Sequence, residues 1–171
     1  LFSPAEVALV EPAKKRAEEL AGDFFHLPRF GPDRYVYEVV TACGLRPQEV
    51  VDGVFAHLVR YARVSPGPRQ ERAPAIFYRI CLQDAVILDS LARTEVAFDL
   101  EALLLYVLTH ELVHVVRIER FEHFYDAAGP EVDCEEALVH DLTHRILGKL
   151  PDARIQAVLK RYREHRIPVR R

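Results

Sequence analysis

Val107-Leu108-Thr109-His110-Glu111-Leu112-Val113-His114-Val115-Val116 is the stretch on which the reading of this chain turns. Two imidazoles and a carboxylate stand in a run of otherwise uncharged, mostly aliphatic residues. Such groups are costly to bury unless something pairs with them. Either the three face water, or they hold something. Asp99 is placed to cap a helix from Leu100 to about Glu119, which puts the stretch in a helix interior. There, residues i and i+4 stand one above the other, so His110 and His114 point the same way. Two such rings can chelate one metal ion from a rigid frame. Glu111 is one step round the helix, badly placed to ligate. It is well placed to take a proton from a water that the metal polarises.

Working outward, the chain has 171 residues, half of them hydrophobic, which suits one domain. No run approaches the roughly 18 apolar residues of a membrane span. Cys43, Cys81 and Cys134 lie far apart and form no CxxC pair. They read as buried small hydrophobes in a reducing compartment, so a cytoplasmic location is expected. Leu1 is no natural start, and a lost targeting segment stays open. Net charge is −3, which argues against nucleic-acid binding by bulk attraction. Residues 151–171 nevertheless carry seven Lys/Arg against Asp152 and Glu164. A basic final helix could dock on nucleic acid or an acidic partner. With no aromatic platform beside it, a solvated surface helix is the stronger reading.

Ser3-Pro4-Ala5-Glu6 is a capping box, so a helix is expected to run to about Ala21 and stop at Gly22. Asp33 can cap a short helix ending at Gly44, although Tyr35-Val36-Tyr37 suits a strand as well. Pro47 opens another helix, on which Val50, Val51, Val54, Phe55, Leu58, Val59 and Ala62 recur at helical spacing, with His57 packed or exposed. Ser65–Pro74, rich in proline, is linker-like and divides an N-terminal helical region (1–64) from a metal-binding core (75–171). The two are expected to form one compact domain. Residues 76–82 and 85–88 are short β-rich runs joined by Gln83-Asp84, read as a hairpin or two neighbouring strands. Phe121–Pro130 is irregular. A helix starts at Val132 or Asp133 and ends at Gly148. Pro151-Asp152 opens the last helix, with Ile155, Val158, Leu159 and Tyr162 as its buried stripe. The expected fold is α+β: a helix-dominated single domain with a small sheet or hairpin before a long central helix.

Residues 107–116 resemble the active-site helix of the zincin (HExxH) metallopeptidases, position by position. The resemblance covers ten residues. It implies a zinc-dependent hydrolase of peptide bonds, with His110 and His114 as zinc ligands, Glu111 as general base and a peptide or protein as substrate. The third ligand sets the branch. Metzincins place a histidine where this chain has Arg120 and a glycine where it has Arg117, which excludes them. His123 would resemble the SprT-like peptidases, but Arg117 and Arg120 between look solvated. Glu136-Ala137-Leu138-Val139-His140 is similar to the glutamate helix of gluzincins, including the compact ImmA/IrrE type, and Glu136 is preferred as third ligand. His140 stands where that family has an aspartate. Glu135 competes, because Leu138, Val139, Leu142 and Ile146 make its face the core-facing one. In this reading the 76–91 hairpin offers an edge strand to an extended peptide. Tyr125, His123 and His140 are candidates for stabilising the transition state.

Two rival readings remain. Glu111-Leu-Val-His114 and Asp141-Leu-Thr-His144 together resemble the paired motifs of di-iron carboxylate bundles. A zinc site closed by a fourth ligand, from His123, His140 or His144, would instead suit a non-catalytic sensor or interaction protein.

Overall fold

The computed structural model describes residues 1–27, 30–31, 35–63, 75–93, 98–122, 125 and 129–163. At its centre is a helix, Leu100–Glu119, which becomes α4 in chain order. Asp99 Oδ1 accepts the Ala102 N–H at 3.0 Å and caps it, as the sequence predicts. Every residue from Ala102 to Ile118 is buried. A helix apolar on all sides belongs in the middle of a domain, and here neighbours cover it all round.

Those neighbours come from both ends of the chain. Pro4–Val7 (α1) and Val10–Phe25 (α2) form a nearly continuous N-terminal arm. The capping box at Ser3 is present. α2 lays Val10, Ala13, Ala17 and Ala21 against α4, small side chains that let two helices approach closely. The helix does not stop at Gly22. It continues to Phe25, because Phe24 and Phe25 pack against the core, and His26 then takes the left-handed turn with φ 53°. Pro130–Leu147 (α5) and Ala153–Tyr162 (α6) cover another side of α4. α5 starts at Pro130, two to three residues before the expected point, with proline in the first turn where its missing N–H costs nothing. The stripe of α6, Ile155, Val158, Leu159 and Tyr162, is buried as expected.

The remaining cover is a three-stranded sheet in the order β1-β3-β2, made of Tyr37–Val40 (β1), Ala56–Arg63 (β2) and Ala75–Leu82 (β3). β1 runs parallel to β3, and β2 antiparallel to it with Leu58 opposite Ile80. The sheet corrects three expectations. The 33–44 segment holds a strand and a short 3₁₀ turn (Ala42–Gly44), not a helix. The helix expected from Pro47 is a single 3₁₀ turn, Pro47–Glu49, followed by β2. Residues 84–92 are a helix, α3, not the second strand of a hairpin. Asp84 explains that last point, since its buried carboxylate accepts the N–H groups of Phe2 (2.9 Å) and Ala42 (3.0 Å) and ties the start of α3 to two distant segments. The division at residue 64 also fails as a helical region beside a core. The first half supplies two of the three strands, and β2 pairs with β3 across the expected boundary. Ser65–Pro74 lies outside the described residues. The fold is α+β in one domain, with helices dominant.

Both faces of the sheet are covered. Leu58, Tyr78, Ile80 and Leu82 face the helices and are buried. On the other face Glu49, only 1 % exposed, accepts from Arg79 Nη1 at 3.0 Å, from the Arg46 N–H at 2.7 Å and from the Tyr61 hydroxyl. Burial pushes its carboxyl up, but those three donors outweigh burial and hold it below the usual carboxylate range. Of the cysteines, Cys81 is buried as expected, whereas Cys43 and Cys134 are exposed. No helix among the described residues is long and apolar enough to cross a membrane.

A carboxyl whose folded-state pKa is depressed contributes stability above its unfolded value, about 4.3 for Glu, and loses it as pH falls through the folded one. Glu49→Gln is therefore expected to cost about 1–3 kcal/mol at pH 7, the range for disturbing a buried hydrogen-bonded charge. The difference from wild type should shrink progressively below about pH 4.3. Urea unfolding of both proteins between pH 3 and 7 measures it.

Candidate metal centre

α4 brings Tyr106, His110 and His114 to one face at intervals of a turn. α5 brings Glu136, His140 and His144 to the facing side at the same interval. Where the two meet, His110 Nε2 and His114 Nε2 lie 3.2 Å apart. Glu136 places one carboxylate oxygen 3.4 Å from His110 Nε2 and the other 3.2 Å from His114 Nε2. Among the described residues these three are the one group of His, Cys, Asp or Glu side chains that could hold a metal ion.

The dimensions can be tested against an ion. Ligand atoms about 2.0–2.1 Å from a tetrahedral centre stand about 3.3 Å from each other. The 3.2 Å between the two imidazole nitrogens matches such an edge, Glu136 meets the rings with different oxygens at 3.4 and 3.2 Å, and one ligand atom from each residue lies within 4.8 Å of the others. The chemistry matches too. Two imidazole nitrogens and a carboxylate suit zinc and its first-row neighbours, whereas calcium and magnesium take oxygen alone. His114 is fully buried and His110 is 4 % exposed, so the rings cannot turn to water. Burial raises the Glu136 carboxyl. Hydrogen bonding and charge from His110 and His114 outweigh it and hold the group well below the usual range, an anion at neutral pH.

Glu111 is 1 % exposed and lies outside the triad. Its charge, after burial and Glu49, helps push the Cys81 thiol on β3 up to about 12. Of the four residues of the main reading, the structure brings His110, His114 and Glu136 together, and Glu111 is buried outside that group.

The alternatives for third ligand that lie among the described residues differ in their partners. Glu135 is buried, as its apolar neighbours imply, but both its oxygens face Arg117: Nε to Oε1 at 2.7 Å and Nη2 to Oε2 at 2.9 Å. Arg117 is therefore not solvated. It is 9 % exposed and also donates to Glu122 at 2.8 Å. Arg120 is half-buried and donates to the Phe25 carbonyl at 2.7 Å. His123 lies outside the described residues. His140 Nδ1 and the Tyr106 hydroxyl are 3.2 Å apart, and the His140 and His144 rings pack with centroids 4.3 Å apart. Burial first, then His140 and Arg163, bring the His144 imidazole down to about 4. Tyr125 hydroxyl donates to the Leu58 carbonyl (3.3 Å) and accepts the Arg60 N–H (3.2 Å), along β2, with the Arg60 guanidinium over its ring. The sheet's edges are β1 and β2, and the 76–82 strand expected to offer an edge is the central one. Asp141 is exposed, so the facing DxxH pair of a di-iron centre does not assemble.

Sequence reasoning missed Arg117 as part of this site. Its signal was legible: a single arginine inside an apolar run of a buried helix needs an acid, and Glu135 is an acid on the core-facing side of its own helix. The basic character expected of the last helix is partly spent within the chain, since Arg154 pairs with Asp99, Glu101 and Asp152.

Compared with models of protein families, with curated proteins and with solved structures, the chain matches none. The site is therefore argued from its own geometry.

A ligand that binds only the folded state stabilises it by about 4 kcal/mol at a thousandfold excess over its Kd. Zinc is expected to raise the thermal midpoint of the wild-type protein by several degrees. His114→Ala should unfold at the same temperature with and without zinc. Differential scanning calorimetry of both proteins with zinc or with chelator checks this.

Proposed function

We propose that the protein is a zinc-dependent metallopeptidase in which Glu111 is the general base. The observation that carries this reading is the buried group of His110, His114 and Glu136, with a second acid, Glu111, also buried and outside that group. When bound, zinc would polarise the scissile carbonyl and bring the pKa of a water towards about 7.

The chain's own residues supply the rest. His110 and His114, one helical turn apart, fix two ligand positions on a single rigid element. Glu136 fixes the third from a second helix, so the ion would report the packing of α4 on α5. Glu111 is one residue round from His110, close to the site yet not aimed at its centre. Its carboxylate accepts the proton of the attacking water and returns it to the leaving amine, the double duty of an acid–base pair in amide hydrolysis. Burial excludes bulk water from these groups, so each charge interaction there is stronger than at the surface.

The number of ligands supports catalysis over a structural or sensing role. Three protein groups converge among the described residues. His140 and His144, which could have closed the site, lie against Tyr106 and each other. Three ligands with a position to spare is the catalytic form, and four the structural one. Peptide as the substrate class rests on the resemblance of residues 107–116 to the zincin helix.

Glu111→Gln is expected to retain one zinc per chain and to lose about 10²- to 10⁴-fold in hydrolysis, the range for a positioned acid–base group. Zinc content by plasma mass spectrometry and cleavage of a peptide library, read by mass spectrometry, measure the two together. Undiminished cleavage by the variant contradicts Glu111 as base. A zinc-loaded wild type that cleaves nothing in the library favours the regulatory or sensor alternative.

A further inference from the structure

Glu135 and Glu136 are adjacent acids on the first turns of α5, and they do different things. On a helix, successive side chains leave the axis about 100° apart. Glu136 joins the two histidines, while Glu135 is gripped by Arg117 through two parallel N–H···O bonds of 2.7 and 2.9 Å. Arg117 belongs to α4, three residues after His114 and seven after His110. The helix that presents the histidines therefore also holds the residue next to the third ligand.

We propose that Arg117 and Glu135 are positioning residues: a buried guanidinium–carboxylate clamp that sets the rotation of α5 so that Glu136 meets His110 and His114. The proposal rests on the reading that those three residues bind a divalent ion. A bidentate arginine fixes direction as well as distance, because both the fork and the carboxylate are planar. With Glu135 held, the azimuth of Glu136 on α5 follows from helix geometry. A metal site needs that help, since ligand positions have to be kept within about 0.5 Å of the productive arrangement. Gly129 precedes the helix with φ 64°. Arg117 also holds Glu122, just past the end of α4, so the clamp ties both ends of the connection between the two helices.

A clamp that served stability alone would behave differently from one that serves geometry. Replacing a buried ion pair by apolar residues of similar size is often neutral for stability. The double variant Arg117→Met/Glu135→Leu should therefore keep the metal-free fold while losing orientation. Arg117→Lys keeps the charge and loses the fork. Zinc affinity of wild type and both variants is measured by competition with a chromophoric chelator, alongside the thermal midpoint of each metal-free protein. Both variants are expected to bind zinc about 10- to 100-fold more weakly than wild type, the usual effect of removing support behind a ligand. Wild-type zinc affinity in a variant that folds overturns the clamp, as does a variant that is less stable yet binds zinc undiminished. Should the double variant not fold, Arg117→Lys decides alone. If wild type itself binds no zinc, the metal reading and the clamp fall together; if wild type binds and the variants match it, only the clamp does.

Discussion

Everything in this structure turns on one constraint: two imidazole nitrogens and a carboxylate have been buried together, the nitrogens 3.2 Å apart and each 3.2–3.4 Å from one of the two carboxylate oxygens. Lone pairs so placed repel unless a cation stands between them. Protons can serve, drawn into hydrogen bonds between each imidazole and the carboxylate. A divalent ion serves better, because it satisfies all three at once. Its binding then releases those protons, which couples occupancy to pH and to folding. The site is thus an energetic liability without a cation, and the surrounding fold is arranged around that liability.

The arrangement is economical in elements. One helix, buried from Ala102 to Ile118, carries His110, His114, the proposed base Glu111 and Arg117. A second helix carries Glu136 and the Glu135 proposed to fix its angle. The sheet, the N-terminal arm, α5 and α6 pack around the first helix. Burial on every side of α4 leaves Glu111 1 % exposed. It also explains why Arg117 needs a partner of opposite charge and has one.

The centre of the molecule was legible from sequence, and its flank was not. Asp99 caps α4 where the sequence places the cap, and the i, i+4 spacing of His110 and His114 converts directly into a shared face. Glu136 followed from spacing and resemblance. Segment 47–62 was misread because apolar residues at Val54, Phe55, Leu58 and Val59 satisfy a helical period while their content is that of a strand. β2 is packed on both faces near its start, so its alternation is muted, and a run of that kind has no period of its own. Segment 84–92 was misread for the opposite reason. Its short β-branched run suits a strand, but Asp84 anchors it to Phe2 and Ala42 far off in sequence. Glu135 shows the same limit at the site: its burial could be read from its own helix, whereas its partner sits 18 residues away on another.

The most direct test is X-ray absorption at the zinc edge on protein purified without chelator and without added metal. The account predicts one zinc per chain, nitrogen and oxygen ligands at about 2.0–2.1 Å, scattering from two imidazole rings, and no sulfur. Protein empty of metal that also refuses it on addition, or a zinc with sulfur at about 2.3 Å, would contradict it.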